Sequence, residues 1–536
     1  MNAHAPSRQA AAREPEHFDV LIVGAGISGI GSAYHLQQQC PGMRFAVLDA
    51  MESYGGTWLI HRYPGTRSDS DLFTFGYRFK PWTGAPIASR DQILTYLGEV
   101  IEENQLAAHI RYRHAIASAS WCSETNLWTL QVQRTDSGET ITLTTRFLWM
   151  CQGYYRHAKG YTPDWPAMES FQGRIIHPQQ WPEDLDCSGK HVVVVGSGAT
   201  AATLVPALAK NGAQVTLLQR SPTYFSTGRN ADALCDELRK LEVDDAWIHE
   251  IMRRKVVKDR DLLRQRAGEN PQAVTQQLLA GVQAALGPDF DISTHFTPRY
   301  RPMQQRIAFV PDGDLFQAIR SGQATVVTDE IATFTETGVR LQSGQTLDAD
   351  IVVSATGFQL SVLGDIRFSI DGKTLDFSQT VTYRGMMFTG IPNLVWLRGY
   401  SFYSWTLRAD IIGDFVCRLL QHMQRNQALR VVPRLRASEK DMELSAWDDP
   451  KEFNPGYLLR GLHLLPKRGT TPEWRHCQDY TLESALFPAI DLADEVFDYG
   501  YGPQHVRAQL QPHEPSIAEG SAHGAAQARA PLFPAF

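Results

Sequence analysis

Apolar residues recur along this chain in short unbroken runs that end in glycine. In FDVLIVGAGISGIGSAYHL (18–36), a run from Val20 to Val23 passes into Gly24, Gly26 and Gly29, and small and apolar residues then follow at helical spacing. The pattern predicts a buried strand, a tight turn and a helix. HVVVVGSGATAATLVPAL (191–208) repeats it with Gly196, Gly198 and Ala201. Two later runs, TRFLWMCQGYY (145–155) and ADIVVSATGFQ (349–359), read as strands that end at Gly153 and Gly357. Residues 228–300 carry helical periodicity, and WTLRADIIGDFVCRLLQHM (405–423) predicts a long, mostly buried helix. The segment 430–510, rich in Pro, Trp and Leu, shows neither period.

The two glycine turns fit dinucleotide binding. A strand that turns tightly into a helix brings free N–H groups and the positive end of the helix dipole to a pyrophosphate. After the first turn, the strand RFAVLDA (44–50) ends in Asp49, a carboxylate that accepts hydrogen bonds from a ribose and repels a 2′-phosphate. After the second, AQVTLLQRS (213–221) ends in Arg220 and Ser221, a cation and a hydroxyl suited to that phosphate. A charge-assisted hydrogen bond is worth about 1.5–3 kcal/mol. The first unit therefore suits FAD and the second NADPH. The expected fold class is α/β, with two Rossmann-like dinucleotide-binding domains and a helical insertion in the second. The expected boundaries are 18–154 and 379–510 for the FAD domain, 155–227 and 325–378 for the NADP domain, and 228–324 for the insertion. Mobile tails are expected at 1–17 and 511–536.

Composition narrows the partners. The 536 residues carry a net charge of -7, which argues against nucleic acid. The basic run 252–266 reads as a solvated helix face. No apolar stretch reaches the length of a membrane span, and the first residues lack a signal-peptide core, so a cytoplasmic location is expected. The seven cysteines show no CxxC or metal-ligand spacing, so no metal and no redox dithiol are expected. A flavoprotein without that dithiol has O2 as its most economical electron acceptor.

FQGRIIHPQQWP (171–182) sets Phe171, Gly173, His177, Trp181 and Pro182 at the offsets of FxGxxxHxxxWP. GGTWLIHRYPGTRSD (55–69) fits GGxWxxxx(F/Y)PGxxxD at Gly55, Gly56, Trp58, Tyr63, Pro64, Gly65 and Asp69. With these two motifs placed around two nucleotide turns, the chain resembles the flavin-dependent Baeyer–Villiger monooxygenases over about residues 18–425. Related amine and sulfide monooxygenases end the first motif with Tyr or Phe. The stretches YPGTRSDSDLFTFGY (63–77), HPQQWPEDLD (177–186), LLQRSPTY (217–224) and QQRIAFVPDGDLF (304–316) look most similar to the branch of ethionamide-activating monooxygenases.

The resemblance implies oxidation of ketones to esters or lactones by O2 and NADPH through a C4a-peroxyflavin. It places the catalytic arginine at Arg306, with Asp69 as its carboxylate partner; the alternative for Asp69 is a helix N-cap in SDSD (68–71). Lysine often precedes that arginine in the family. Here Gln305 does, leaving Arg220 and Ser221 to select the phosphate. His177 is read as a linker or hinge residue in preference to a general base, stiffened by Trp181-Pro182. Trp58 is expected against the flavin or bracing its motif, Gly56 and Gly357 close to cofactor, and Trp405 in the pocket wall or the core. Gln152 and Arg398 carry only weak claims. Oxygenation of sulfur or nitrogen is the first alternative, and a flavoprotein reductase the second.

Overall fold

The computed structural model describes residues 14–502. Its first sheet forms around Glu16–Val23, where Val20, Leu21 and Ile22 are fully buried. A strand covered on both faces needs apolar side chains in both directions, which the unbroken run supplies. It pairs in parallel with Phe45–Leu48 on one side and Thr140–Met150 on the other. Leu394–Trp396 adds in parallel to Thr140–Met150, so the chain returns to this nine-stranded sheet late in its course. The second sheet has five parallel strands, ordered Ala324–Thr328, Gln214–Gln219, His191–Val195, Ile351–Ser354 and Arg174–Ile176. The fold is α/β with two Rossmann-like units.

The helix after the first turn, Ile27–Gln39, packs along Trp405–Arg425, the long buried helix that the periodicity predicts. Small residues permit the close crossing. A Cβ on Gly413 would fall 2.7 Å from the His35 ring. His35 then lies between two carboxylates of the longer helix, 3.2 Å from Asp410 and 3.3 Å from Asp414.

Several expectations need correction. Glu16 and His17 belong to the first strand, with Glu16 2.7 Å from Arg111, so the N-terminal arm ends before them. The expected tail at 511–536 and residues 1–13 of the arm lie outside the described residues. Helices fill much of 228–324, but Ile248 and Met252 of Asp245–Glu269 enter the core of the first unit, not the second. Within the basic run, Arg253 is 5% exposed and donates to the carbonyls of Phe73 and Gly76, at the end of the short helix Leu72–Phe75. Free carbonyls at a helix end attract a cation, so this side chain is buried and not solvated. Asp314–Arg320 packs on Ala199–Lys210 as a crossover helix of the second sheet. Arg367–Ile370, expected in the NADP unit, pairs with His114–Cys122 of the first sheet because Phe368 packs against Trp128 and Phe377.

The two-helix contact predicts a pH response. Burial opposes charge on His35, but the hydrogen bonds to Asp410 and Asp414 more than offset it and raise the imidazole from 6.5 to about 9. The folded state thus holds a proton that the unfolded chain releases above 6.5. Stability from this group is complete below 6.5 and is lost as pH rises through about 9, with an amplitude on the order of 3 kcal/mol. Urea unfolding between pH 6.5 and 9.5 should show that loss in the native chain and a flatter profile in His35→Gln.

Candidate active site

Gly24 and Gly29 of the first turn stand where no other side chain fits. A Cβ on Gly29 would lie 1.7 Å from the Gly24 carbonyl oxygen, and one on Gly24, whose φ is +104°, 2.7 Å from the Cys151 oxygen. The helix that follows starts at Gly26, with no side-chain cap and no acid in its first turn. Its free N–H groups therefore face whatever anion occupies the turn. Gly56 comes up against this turn from the second motif; a Cβ there would be 3.1 Å from the Gly26 Cα. Asp49 is 8% exposed and accepts hydrogen bonds from the backbone N–H groups of Ala25 (2.6 Å) and Met51 (2.8 Å). It braces the turn while its remaining lone pairs face the cavity that it lines.

The second turn is built alike. Helix Ala199–Lys210 starts at an uncapped Gly198, Ala201 is fully buried, and a Cβ on Gly196 would lie 2.3 Å from the Ala355 oxygen. A Cβ on Gly198 would meet no protein atom within 4 Å, so open space lies at this helix end. Arg220 and Ser221 are exposed at the tip of the neighbouring strand, and the Ser221 carbonyl accepts a hydrogen bond from Ser197 Oγ. Arg460 reaches the same sheet edge. Its guanidinium lies 3.5 Å above the Tyr161 ring and donates to the Phe358 carbonyl at 3.1 Å. Burial and the charge of Arg220 hold Arg460 below its ordinary range. Neither arginine forms an ion pair with a carboxylate among the described residues.

Between the turns lies a cavity of about 1150 Å³. Arg306 enters it and pairs with Asp69 at 2.9 Å, across 237 positions of sequence. Both side chains are 42% accessible because they face the cavity, although protein surrounds the guanidinium on its other sides. Burial works against the charge of Arg306; the Asp69 carboxylate and the phenol oxygens of Tyr154 and Tyr457 outweigh it and keep the group above its usual range. The helix-capping role weighed for Asp69 belongs to Asp71, which accepts from Thr74 N–H and leaves Asp69 to the arginine. Arg67 of the same segment makes two hydrogen bonds to Asp314, tying this loop to the second unit.

Trp58 is 9% exposed, borders the cavity and packs edge-on against Phe75, so it faces the site and braces its motif together. Trp405 also borders the cavity; it donates to Ser28 Oγ at 2.7 Å and stacks on Tyr154. Gly357, at φ +103°, reaches the cavity just beyond the end of Ile351–Ser354 in the second sheet. His177 donates from Nε2 to the Gly357 carbonyl at 3.1 Å and accepts at Nδ1 from Gln179 N–H. With both nitrogens engaged by protein, the ring offers no free acceptor for a proton. Gly173 allows the linker to approach Asp350, where a Cβ would be 2.4 Å from the carbonyl oxygen, and Phe171 packs on Phe334. Trp181, with Pro182 behind it, packs on the core of the second sheet and reaches the cavity rim.

Residues 86–234 match the flavin-binding monooxygenase-like family, and residues 22–82 match an NAD(P)-binding Rossmann-like domain. The chain is 44% identical over 498 residues to the FAD-containing monooxygenase EthA of Mycobacterium tuberculosis, covering 92% of this chain and 99% of the relative. The chain belongs to the flavin-binding monooxygenase family. It is also 42% identical to the probable FAD-binding monooxygenase AlmA of an Acinetobacter species, over 92% of this chain and 97% of the relative. Among solved structures, its fold is similar to an oxidized steroid monooxygenase bound to NADP, with TM-score 0.70 and 22% identity over 91% of this chain and all of the other. The OTEMO complex with FAD and NADP superposes with TM-score 0.71 at 18% identity over the same shares.

As a family member the chain needs a flavin, and its residues fit one. The first turn is kept free of side chains at Gly24, Gly26 and Gly29 and opens on uncapped N–H groups. Four buried polar atoms on residues bordering the cavity have no protein partner: His61 Nε2, Gln152 Oε1, Gln179 Oε1 and Ser361 Oγ. Such atoms await donors or acceptors from bound groups. Sequence reasoning missed His61, Tyr154, Tyr457 and Arg460. Gln152, weakly ranked, does border the cavity. Arg398 is buried behind Tyr154, over the Trp396 and Trp447 rings. Cys151 is the single cysteine among the cavity-lining residues.

The two turns predict opposite outcomes for one substitution. Gly29→Ala should purify with its bound flavin reduced about tenfold or more, because its methyl overlaps the Gly24 carbonyl. Gly198→Ala should keep its flavin and melting temperature but bind NADP+ more weakly, since its methyl enters open space at the helix end. Flavin absorbance, thermal melts and NADP+ titration together read both.

Proposed function

We propose that this chain is an NADPH-dependent Baeyer–Villiger monooxygenase that converts ketones to esters or lactones. The observation that carries the reading is Arg306, held by Asp69 in a cavity between two dinucleotide cradles. The balance is ketone, O2, NADPH and a proton giving ester, water and NADP+; one oxygen atom enters a carbon–carbon bond. When bound, FAD supplies the centre that passes two electrons from NADPH to O2.

The chain supplies the rest. Gly24, Gly26, Gly29 and Asp49 hold FAD, and Gly196, Gly198 and Ala201 hold NADPH. Arg220 and Ser221, with Arg460 in place of the lysine that Gln305 replaces, take the 2′-phosphate. Arg306, charged at every working pH, stabilises negative charge developing on oxygen and orients the nicotinamide. Asp69 sets the direction of the guanidinium. Trp58, Tyr154, Tyr155, Phe358, Trp405 and Tyr457 wall the cavity with apolar surface that excludes water. His177, bonded to Gly357, couples movement of the linker to the end of the NADPH strand. No helix among the described residues is long and apolar enough to cross a membrane, and none of their side-chain groups forms a metal site.

Labelled O2, NADPH and a panel of linear ketones, cyclic ketones and a thioether test the reaction. Ester or lactone with one labelled atom is expected. Sulfoxide alone would move the reading to heteroatom oxygenation, and NADPH consumption with only hydrogen peroxide across the panel would contradict it. Arg220→Ala should raise KM for NADPH by about ten- to a hundredfold, the loss of one charge-assisted hydrogen bond, and leave KM for NADH unchanged.

A further inference from the structure

His61 is a buried base with one unused nitrogen. It stands in the GGTWLIHRYPG segment, is 4% exposed and borders the cavity. Its Nδ1 lies 2.9 Å from the Thr57 carbonyl oxygen, which can only accept, so Nδ1 carries the proton. Nε2 then presents a bare lone pair and has no partner. Burial, aided by His157 and His177, holds the imidazole down at about 4 and keeps it neutral. A buried acceptor left unmatched costs about 1–3 kcal/mol. The packing around this ring keeps it fixed: Tyr63, Tyr155 and Phe358 stand edge-on to it at 5.9, 6.0 and 5.7 Å.

The position selects the partner. Thr57 directly follows Gly56, which touches the first turn, whereas Tyr63 is buried in the core of the second sheet and Phe358 follows Gly357 at that sheet's edge. His61 therefore sits in the gap between the two cradles. A dinucleotide that starts at the Gly198 helix end and runs toward Arg306 passes this gap with its nicotinamide end. That end carries two kinds of donor, the ribose hydroxyls and the carboxamide N–H.

We infer that His61 Nε2 accepts a hydrogen bond from the nicotinamide riboside portion of NADP(H) and fixes its position beside Arg306. The inference rests on the NADPH reading above. His61 is a binding and positioning residue; it transfers no proton.

His61→Phe and His61→Gln test it, with flavin content and melting temperature measured for each. Dissociation constants for NADP+, for 2′-phospho-ADP-ribose, which keeps the ribose but lacks nicotinamide, and for 2′,5′-ADP are read by calorimetry on the FAD-loaded protein. His61→Phe should weaken NADP+ about five- to thirtyfold and leave 2′,5′-ADP unchanged, and His61→Gln, which restores an acceptor, should recover most of the loss. Equal weakening of 2′-phospho-ADP-ribose identifies a ribose hydroxyl as donor; an effect confined to NADP+ identifies the carboxamide. A parallel readout is the 15N shift of His61 Nε2, which should move on adding NADP+. Unchanged NADP+ affinity in His61→Phe, with an unmoved 15N signal in the native chain, overturns the inference and leaves water as the partner. Loss of flavin in His61→Phe with intact NADP+ affinity overturns it in favour of a flavin contact. Failure of the native chain itself to bind NADP+ would instead overturn the NADPH reading.

Discussion

A guanidinium 2.9 Å from a carboxylate, on a chain where 237 positions separate them, requires two sheets to be held in one arrangement. The carboxylate rides on a loop that begins against the first glycine turn, and the arginine on a segment that leads into the second sheet's crossover helix. The neighbouring bidentate contact of Arg67 with Asp314 holds the same loop to the same helix, so the pair is defined from both sides. The charge is usable because it is already paired: Asp69 offsets the cost of placing Arg306 in a cavity walled by aromatic rings, and the arginine keeps donors for a bound group.

The two nucleotide units were legible because their signals are local. Strand, turn and helix follow within twenty residues, and Gly24, Gly29 and Gly196 answer contacts that a methyl would prevent. The charge at the second strand's tip, positive against the negative first, was equally readable. The Arg306–Asp69 pair was not legible from pattern, since no period connects positions so far apart; only the resemblance of two motifs suggested it.

What escaped reading shares a physical cause. Arg253 looks like surface because cations usually are, yet backbone carbonyls at a helix end receive it. Arg367–Ile370 looks like the continuation of the second unit, yet Phe368 finds its packing in the first. Residues 430–502 have no period because short elements there are held by tertiary contacts. Arg436 makes ion pairs with Glu439, Glu473 and Asp494, the His476 ring stacks on Trp447, and Glu483 takes the buried Arg408. From that irregular segment come Tyr457 and Arg460, one beside Arg306 and the other over Tyr161. A site assembled from such parts is visible only after folding.

Under the proposed function, Arg306 and Asp69 act as one unit in oxygen transfer. A double-mutant cycle tests it directly, using FAD-loaded protein, a substrate that the native chain oxygenates, and product formed per NADPH consumed as the readout. Arg306→Ala should lower product formation by about 10²–10³-fold, as for loss of a charge-stabilising donor, Asp69→Ala should lower it less, and the double variant should be no worse than Arg306→Ala. Additive losses, or product formation undiminished in Arg306→Ala, would contradict it.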